Sequence, residues 1–206
     1  ENILKQKETI ENKLERENQY HLIYNNVLPI LRDSNLTITN LEGPITNSDK
    51  KKQKTGPHLK MEEKVTGSLK YAGFNLVTLA NNHILDYGEE GLHDTLQKLN
   101  EHYIKNVGAG ISQEEASKPH YQNIEEQTIG IINITENEWS TTDENNAGAN
   151  SLDPYKNYYE IQGARRKADY LFIIVHGGHE MYSLPSPRMK KTYRFFIDAG
   201  ADAVIG

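Results

Sequence analysis

Strands that alternate with helices along the chain predict an α/β fold with a largely parallel or mixed sheet. Three stretches carry that reading. "NLVTLANNH" (75–83) is a short apolar run that stops at polar residues and then gives way to a helical pattern. "QTIGIINIT" (127–135) and "DYLFIIVH" (169–176) are β-branched runs too short to be helix cores. No internal repeat or low-complexity linker interrupts the 206 residues, so one domain over 1–206 is the economical organisation.

The elements follow in order. Residues 1–32 read as helix, with Ile10, Leu14, Leu22, Ile23, Val27, Leu28 and Leu31 forming an apolar stripe after a very polar start. "LTITNLE" (36–42) is a short strand. Residues 47–57 are loop and contain the basic run Lys50–Lys54 (KKKQK), which between Gly and Pro reads as solvated. A helix over 61–72 ends at Gly73. Leu76–Ala80 is a buried strand, and Leu92, Leu96 and Leu99 give the next helix one apolar face. "VGAG" (107–110) reads as a strand-end glycine turn; lacking the full dinucleotide fingerprint, it is weak support for a phosphate cradle.

After the strand at 127–135 comes an Asn- and Thr-rich loop, 136–151, with the only tryptophan, Trp139. A helix is expected over 153–168, a strand over 169–176, and a helix over 185–200 with Met189, Thr192, Phe196 and Ile197 on its buried face. "ADAVI" closes the chain as a strand. His93 and His102 read as surface residues, His58 and His120 (each beside a proline) as loop, and Met61, Met181 and Met189 as packing.

Composition narrows the function classes. The net charge of −6 argues against a general nucleic-acid binder. The absence of cysteine excludes disulfides, thiolate metal sites and a Cys nucleophile. Mean hydropathy is −0.74, and no apolar run approaches the roughly 18 residues of a membrane span. Neither a signal peptide nor an anchor is visible, and both ends read as cut: the first residues are mid-helix in character, and the last strand has nothing after it.

Three strands end alike. Thr37–Asn40 runs into Leu41, Glu42, Gly43 and Pro44; Leu76–Ala80 into Asn81, Asn82, His83 and Asp86; Leu171–Val175 into His176, Gly177, Gly178, His179 and Glu180. One such cluster is an ordinary turn. Three suggest a site, because ligands in open α/β sheets bind outside the carboxyl ends of strands. A carboxylate, an asparagine carbonyl and imidazoles, without thiolates, suit Mn, Fe, Zn or a related divalent cation. HGGHE has the residues of a reversed zinc-protease motif, but its paired glycines argue against the helix that motif needs.

"NLEGPIT", "AGFNLVTLANNHILDYGEEGLHDTL", "VGAG…EA", "HGGHE…PSP" and "IDAGADAVIG" resemble, in order and spacing, the bacterial capsule-synthesis proteins of the CapA, or poly-γ-glutamate synthesis, family. The match runs from about residue 24 to the end, and that family is similar to the calcineurin-like metallophosphoesterases. The resemblance implies a two-sheet α/β sandwich flanked by helices, with one strand and motif missing at each end. It implies divalent metal ligands at Glu42, Asn82 and His176, His83 as catalytic acid or transition-state stabiliser, and Asn81, Asp86, His179 and Glu180 as supporting or substrate-facing residues.

The departures from the family pattern temper this. The Gly-Asp motif of the first strand and the Gly-His-x-His expected after Gly206 are absent, Glu42 replaces an aspartate, and Gly177 replaces a tryptophan. The expectation is a metal held weakly or not at all in this form. The implied role is a capsule-polymer factor at the extracellular face of the membrane, working on an anionic polymer or its precursor with membrane synthase subunits and without nucleic acid. A non-catalytic polymer-binding or scaffold subunit and a metal-dependent phosphodiesterase are the alternatives.

Overall fold

The computed structural model describes residues 23–143, 146–179 and 181–206. The polar first part of the expected N-terminal helix and Glu180 lie outside the described residues. In chain order the elements are α1 (Leu28–Arg32), β1 (Ile38–Asn40), α2 (Lys64–Ala72), β2 (Leu76–Thr78), α3 (Gly88–Glu101), β3 (Lys105–Val107) and β4 (Ala109–Gly110). There follow α4 (Gln113–Ala116), β5 (His120–Ile124), β6 (Gln127–Thr135), β7 (Gly148–Ala149), α5 (Pro154–Arg165), β8 (Tyr170–His176), α6 (Pro187–Asp198) and β9 (Ala203–Ile205).

Two main sheets result. β1, β2 and β3 form a parallel sheet in that order, with Thr39 opposite Val77 and Val77 opposite Asn106. β5, β6, β8 and β9 form the second, in which β5 is antiparallel and the other three run parallel. The α/β class is as the alternating elements predict, and the two flanked sheets are as the family resemblance implies. β4 and β7 make a short antiparallel pair beside them.

Period-two alternation sorts the side chains into layers. Leu76, Val107 and Ile131, with Ile38, Ile129 and Ile174 against them, fill the space between the sheets. The opposite face of the first sheet presents Val77, then Leu79, to Leu69 of α2 and to Leu92 and Leu99 of α3. The opposite face of the second presents Ile132, Ile134, Leu171, Ile173 and Val175 to Ile161 of α5 and Phe196 of α6. Both outer helices start with proline at their first turn behind a side-chain cap. Asp153 accepts from the Tyr155 and Lys156 amides at 2.9 and 3.3 Å, and Ser186 accepts from the Met189 amide at 3.2 Å.

The sheets are joined by a buried amide. Asn133 of β6 accepts the Ala80 N–H at 2.7 Å and donates to the Ile174 carbonyl at 3.0 Å, linking the end of β2 to β8. Gly108, between β3 and β4, permits that joint: its φ is +97°, and a Cβ there would lie 2.1 Å from Asn133 Oδ1. The "VGAG" stretch thus turns where backbone and a buried side chain meet.

Several local expectations are corrected. His120 opens β5 rather than lying in a loop. Met181 is fully exposed, not packed, and Ile197 is 44% exposed while Tyr193 takes its expected place against the α6 core. None of the α1 residues is buried, so the expected apolar stripe does not reach the core there.

Candidate functional site

Each strand that ends in a polar cluster delivers it to the same end of the molecule. Glu42 follows β1, Asn81 to Asp86 follow β2, and His176 to His179 close β8. A cleft of about 440 Å³ is lined by Glu42, Asn82, His83, His176 and His179, with Gly206 after β9 at its edge. Within it His176 Nε2 lies 3.2 Å from Asn82 Oδ1, and His83 Nε2 lies 4.0 Å from Glu42 Oε1. Two other concavities, one beside Lys50 and Glu90 and one beside His120, hold none of the three strand-end clusters.

Asn81 and Asp86 stand behind the cleft, fully buried. The Asn81 amide donates to the Leu41 carbonyl at 2.9 Å and its oxygen accepts the His83 N–H at 3.1 Å, so the β1 and β2 loops are tied together. Asp86 Oδ2 accepts from His83 Nδ1 and from the Leu59 amide, both at 2.7 Å, while Lys54 pairs with Oδ1. Burial works against the Asp86 carboxylate, but the hydrogen bonds from His83, Lys54 and Leu59 outweigh it and hold its pKa below the usual range.

The imidazole geometry fixes a proton. Asp86 is an acceptor, so the proton between Nδ1 and Oδ2 sits on Nδ1, and in the ring's neutral form Nε2 is the bare nitrogen, turned toward Glu42 and the cleft. Such a group can take a proton and later return it.

The second and third loops are held by residues that sequence reasoning did not single out. Ser140 donates to the Asn82 carbonyl at 2.7 Å and accepts from the Leu85 amide at 3.3 Å, clasping the β2 loop. Glu136 accepts from Arg188 at 2.5 Å and from the Gly178 amide at 3.3 Å. A Cβ on Gly177 would meet Glu136 Cγ at 2.4 Å, so glycine is required for close approach. A tryptophan there would displace Glu136. Neither Ser140 nor Glu136 carried a signal, since both lie in an Asn- and Thr-rich loop without periodicity. Lys54 was misread: the basic run was expected to be solvated, yet the Lys54 side chain is 3% exposed.

As a cation site the cleft is a partial fit. Donors on one metal with bonds near 2.0–2.2 Å stand roughly 3 Å apart, and Asn82 Oδ1 and His176 Nε2 have that separation. Among the described residues no three His, Asp or Glu side chains converge on one point.

Comparison with known proteins agrees with the motifs. The chain is 30% identical over 193 residues to the capsule biosynthesis protein CapA of Bacillus anthracis, covering 89% of this chain and 47% of that protein. It is 32% identical over 188 residues to the PGA biosynthesis protein CapA of Bacillus subtilis strain 168, covering 89% and 50%. The chain therefore spans about half the length of these curated relatives. Among solved structures, a hypothetical protein from Thermus thermophilus superposes with a TM-score of 0.49 at 18% identity, covering 86% of this chain and 58% of that one. The model of the bacterial capsule synthesis protein family PGA_cap matches residues 3–206, and the chain belongs to that family.

Proposed function

We propose that this chain carries the polymer-processing cleft of a cell-surface capsule-synthesis protein, a hydrolase- or transferase-like site for an anionic capsule polymer or its precursor. The observation that supports it best is the meeting of Glu42, Asn82, His83 and His176 in one cleft, with His83 backed by a buried carboxylate. His83 is the proton-transfer group: its Nε2 faces the cleft and its Nδ1–H is committed to Asp86. Asn82, His176 and Glu42 would hold a divalent cation, which when bound supplies Lewis acidity toward a phosphoryl or acyl oxygen. Asn81 and Ser140 hold the Asn82–His83 backbone in place, and His179 stands at the mouth, where it can meet substrate. Membrane synthase subunits are the natural partners of such a protein.

A second reading, a non-catalytic polymer-holding subunit, is favoured by one fact: no three metal-capable His, Asp or Glu side chains converge among the described residues. Variants separate the two. With a processing site, His83→Ala leaves fold and cation binding intact and lowers turnover of poly-γ-glutamate by about 10²–10⁴-fold, the range for a positioned acid or base. Asn82→Ala and His176→Ala lower cation binding and turnover together. Capsule production supported equally by all three variants and the parent would remove the catalytic reading and leave the holding one.

A further inference from the structure

Lys54 pairs with Asp86 behind the cleft, and its side chain is deeply buried there. It belongs to a surface strap, residues 50–60, that is folded over Asp86 by three contacts of different kinds. The Lys52 amide donates to the Asp86 carbonyl at 2.9 Å, the Leu59 amide donates to Oδ2 at 2.7 Å, and the Lys54 ammonium enters between them to pair with Oδ1. His58 Nε2 closes the strap on the Lys52 carbonyl at 2.7 Å, and Lys52 Nζ reaches the Trp139 carbonyl at 2.6 Å. A solvated loop has no need to bury a lysine, because desolvating an ammonium is costly unless a buried anion receives it.

The same ammonium lies 3.2 Å from His83 Nδ1. An ammonium only donates and a carboxylate only accepts. With Oδ1 given to Lys54, Oδ2 is left to the ring N–H and to Leu59. The opposite imidazole tautomer would set two lone pairs 2.7 Å apart at Nδ1 and Oδ2. The ammonium on Oδ1 thus settles which carboxylate oxygen meets the ring, and Oδ2 at 2.7 Å is an acceptor that calls for a hydrogen on Nδ1.

We propose that Lys54 is a positioning residue: its ion pair with Asp86 orients the carboxylate, and through it commits His83 to the ring form whose bare Nε2 faces the cleft. The basic strap is thereby part of the site's support. This rests on the reading of His83 as the proton-transfer group, but its test reads ring form and strap order without polymer, cation or turnover. A failed polymer assay therefore leaves it standing, and its own failure leaves the polymer assay untouched.

Long-range proton–nitrogen correlation on the uniformly ¹⁵N-labelled 206-residue chain reports the tautomer of each neutral histidine. The parent should show His83 protonated at Nδ1 and bare at Nε2. Lys54→Met keeps the aliphatic stem and drops the charge. It should lose the single-tautomer pattern and expose the Leu59 amide to hydrogen exchange about tenfold faster, while Lys54→Arg restores both. A parent protonated at Nε2 overturns the proposal, whatever the variants do. So does a folded Lys54→Met with parental pattern and protection. If Lys54→Met fails to fold, Lys54→Gln, which drops the charge and leaves Asp86 in place, decides: mixed tautomers support the proposal, and a retained Nδ1–H pattern defeats it.

Discussion

Gly108→Ala places a methyl group where the two sheets are joined. The new Cβ would sit 2.1 Å from Asn133 Oδ1, 2.7 Å from its Cγ and 2.9 Å from the Ala80 Cβ. The Asn133 side chain must leave, and its departure orphans the buried Ala80 N–H and takes a second donor from the Ile174 carbonyl. Each unsatisfied buried group costs about 1–3 kcal/mol, and crowding a packed interior adds about 1–3 kcal/mol. The left-handed φ of +97° adds further strain for a residue with a Cβ. A loss of roughly 4 kcal/mol or more is a large part of the 5–15 kcal/mol typical of a folded domain. Each kcal/mol moves the midpoint of a chain this size by about 2–4 °C, so Tm should fall by on the order of 10 °C. Thermal unfolding followed by circular dichroism measures it, with Gly163→Ala as the control. Gly163 lies inside α5 with no atom within 4 Å of an added Cβ, and alanine there should stabilise by about 0.5–1 kcal/mol. A Gly108→Ala midpoint within about 2 °C of the parent would refute the inter-sheet joint.

Further outcomes follow from the charged groups. Because Asp86 is held below its unfolded value, its contribution is fully present above the ordinary aspartate pKa of about 3.9 and is lost as pH falls through the lower folded value. Acid titration of stability should show that loss in the parent and not in the double variant Lys54→Met with Asp86→Asn. Glu160 behaves oppositely: burial raises its pKa despite hydrogen bonds from Asn157 at 3.0 Å and Asn150 at 3.3 Å. The fold therefore retains that proton, and stability declines as pH rises from about 4.3 through the raised value. Glu160→Gln should raise the neutral-pH denaturation midpoint, with the gap closing near pH ~4; an equal gap at both pH values would count against it. Calorimetric titration of the chelator-treated 206-residue chain with Mn or Zn should give weak binding that Asn82→Ala or His176→Ala abolishes, whereas tight stoichiometric uptake would show that the donor set is larger than this pair.

How much of this was legible beforehand depended on periodicity. β6 matches its predicted span of 127–135, and β8 and both outer helices lie within theirs, because β-branched runs and Pro-capped helices announce themselves. β5 was missed because HYQNI is a polar edge strand, and its hairpin turns on Glu125–Glu126 with Glu125 at φ 54°, where glycine or asparagine is the usual signal. β3, KNV, is too short and too polar to register. The strand-end residues were visible because chemistry interrupts an apolar run there. Lys54 was not, since nothing in KKKQK distinguishes the lysine that turns inward from those that face water. Its partner Asp86 is distant in the chain, across the rest of the strap and the whole of α2 and β2.

The two halves of the cleft belong to different sheets. Asn82 and His83 follow a strand of the first, and His176 closes a strand of the second, so the 3.2 Å hydrogen-bond contact between Asn82 and His176 spans a seam. Asn133 bridges that seam from the second sheet to Ala80, two residues before Asn82, and reaches β8 at Ile174, two residues before His176. One interior side chain thus works as a gauge block between the jaws of a calliper. Volume changes in the layer between the sheets, at Ile131 or Leu76, would reset the aperture without touching any residue that lines it.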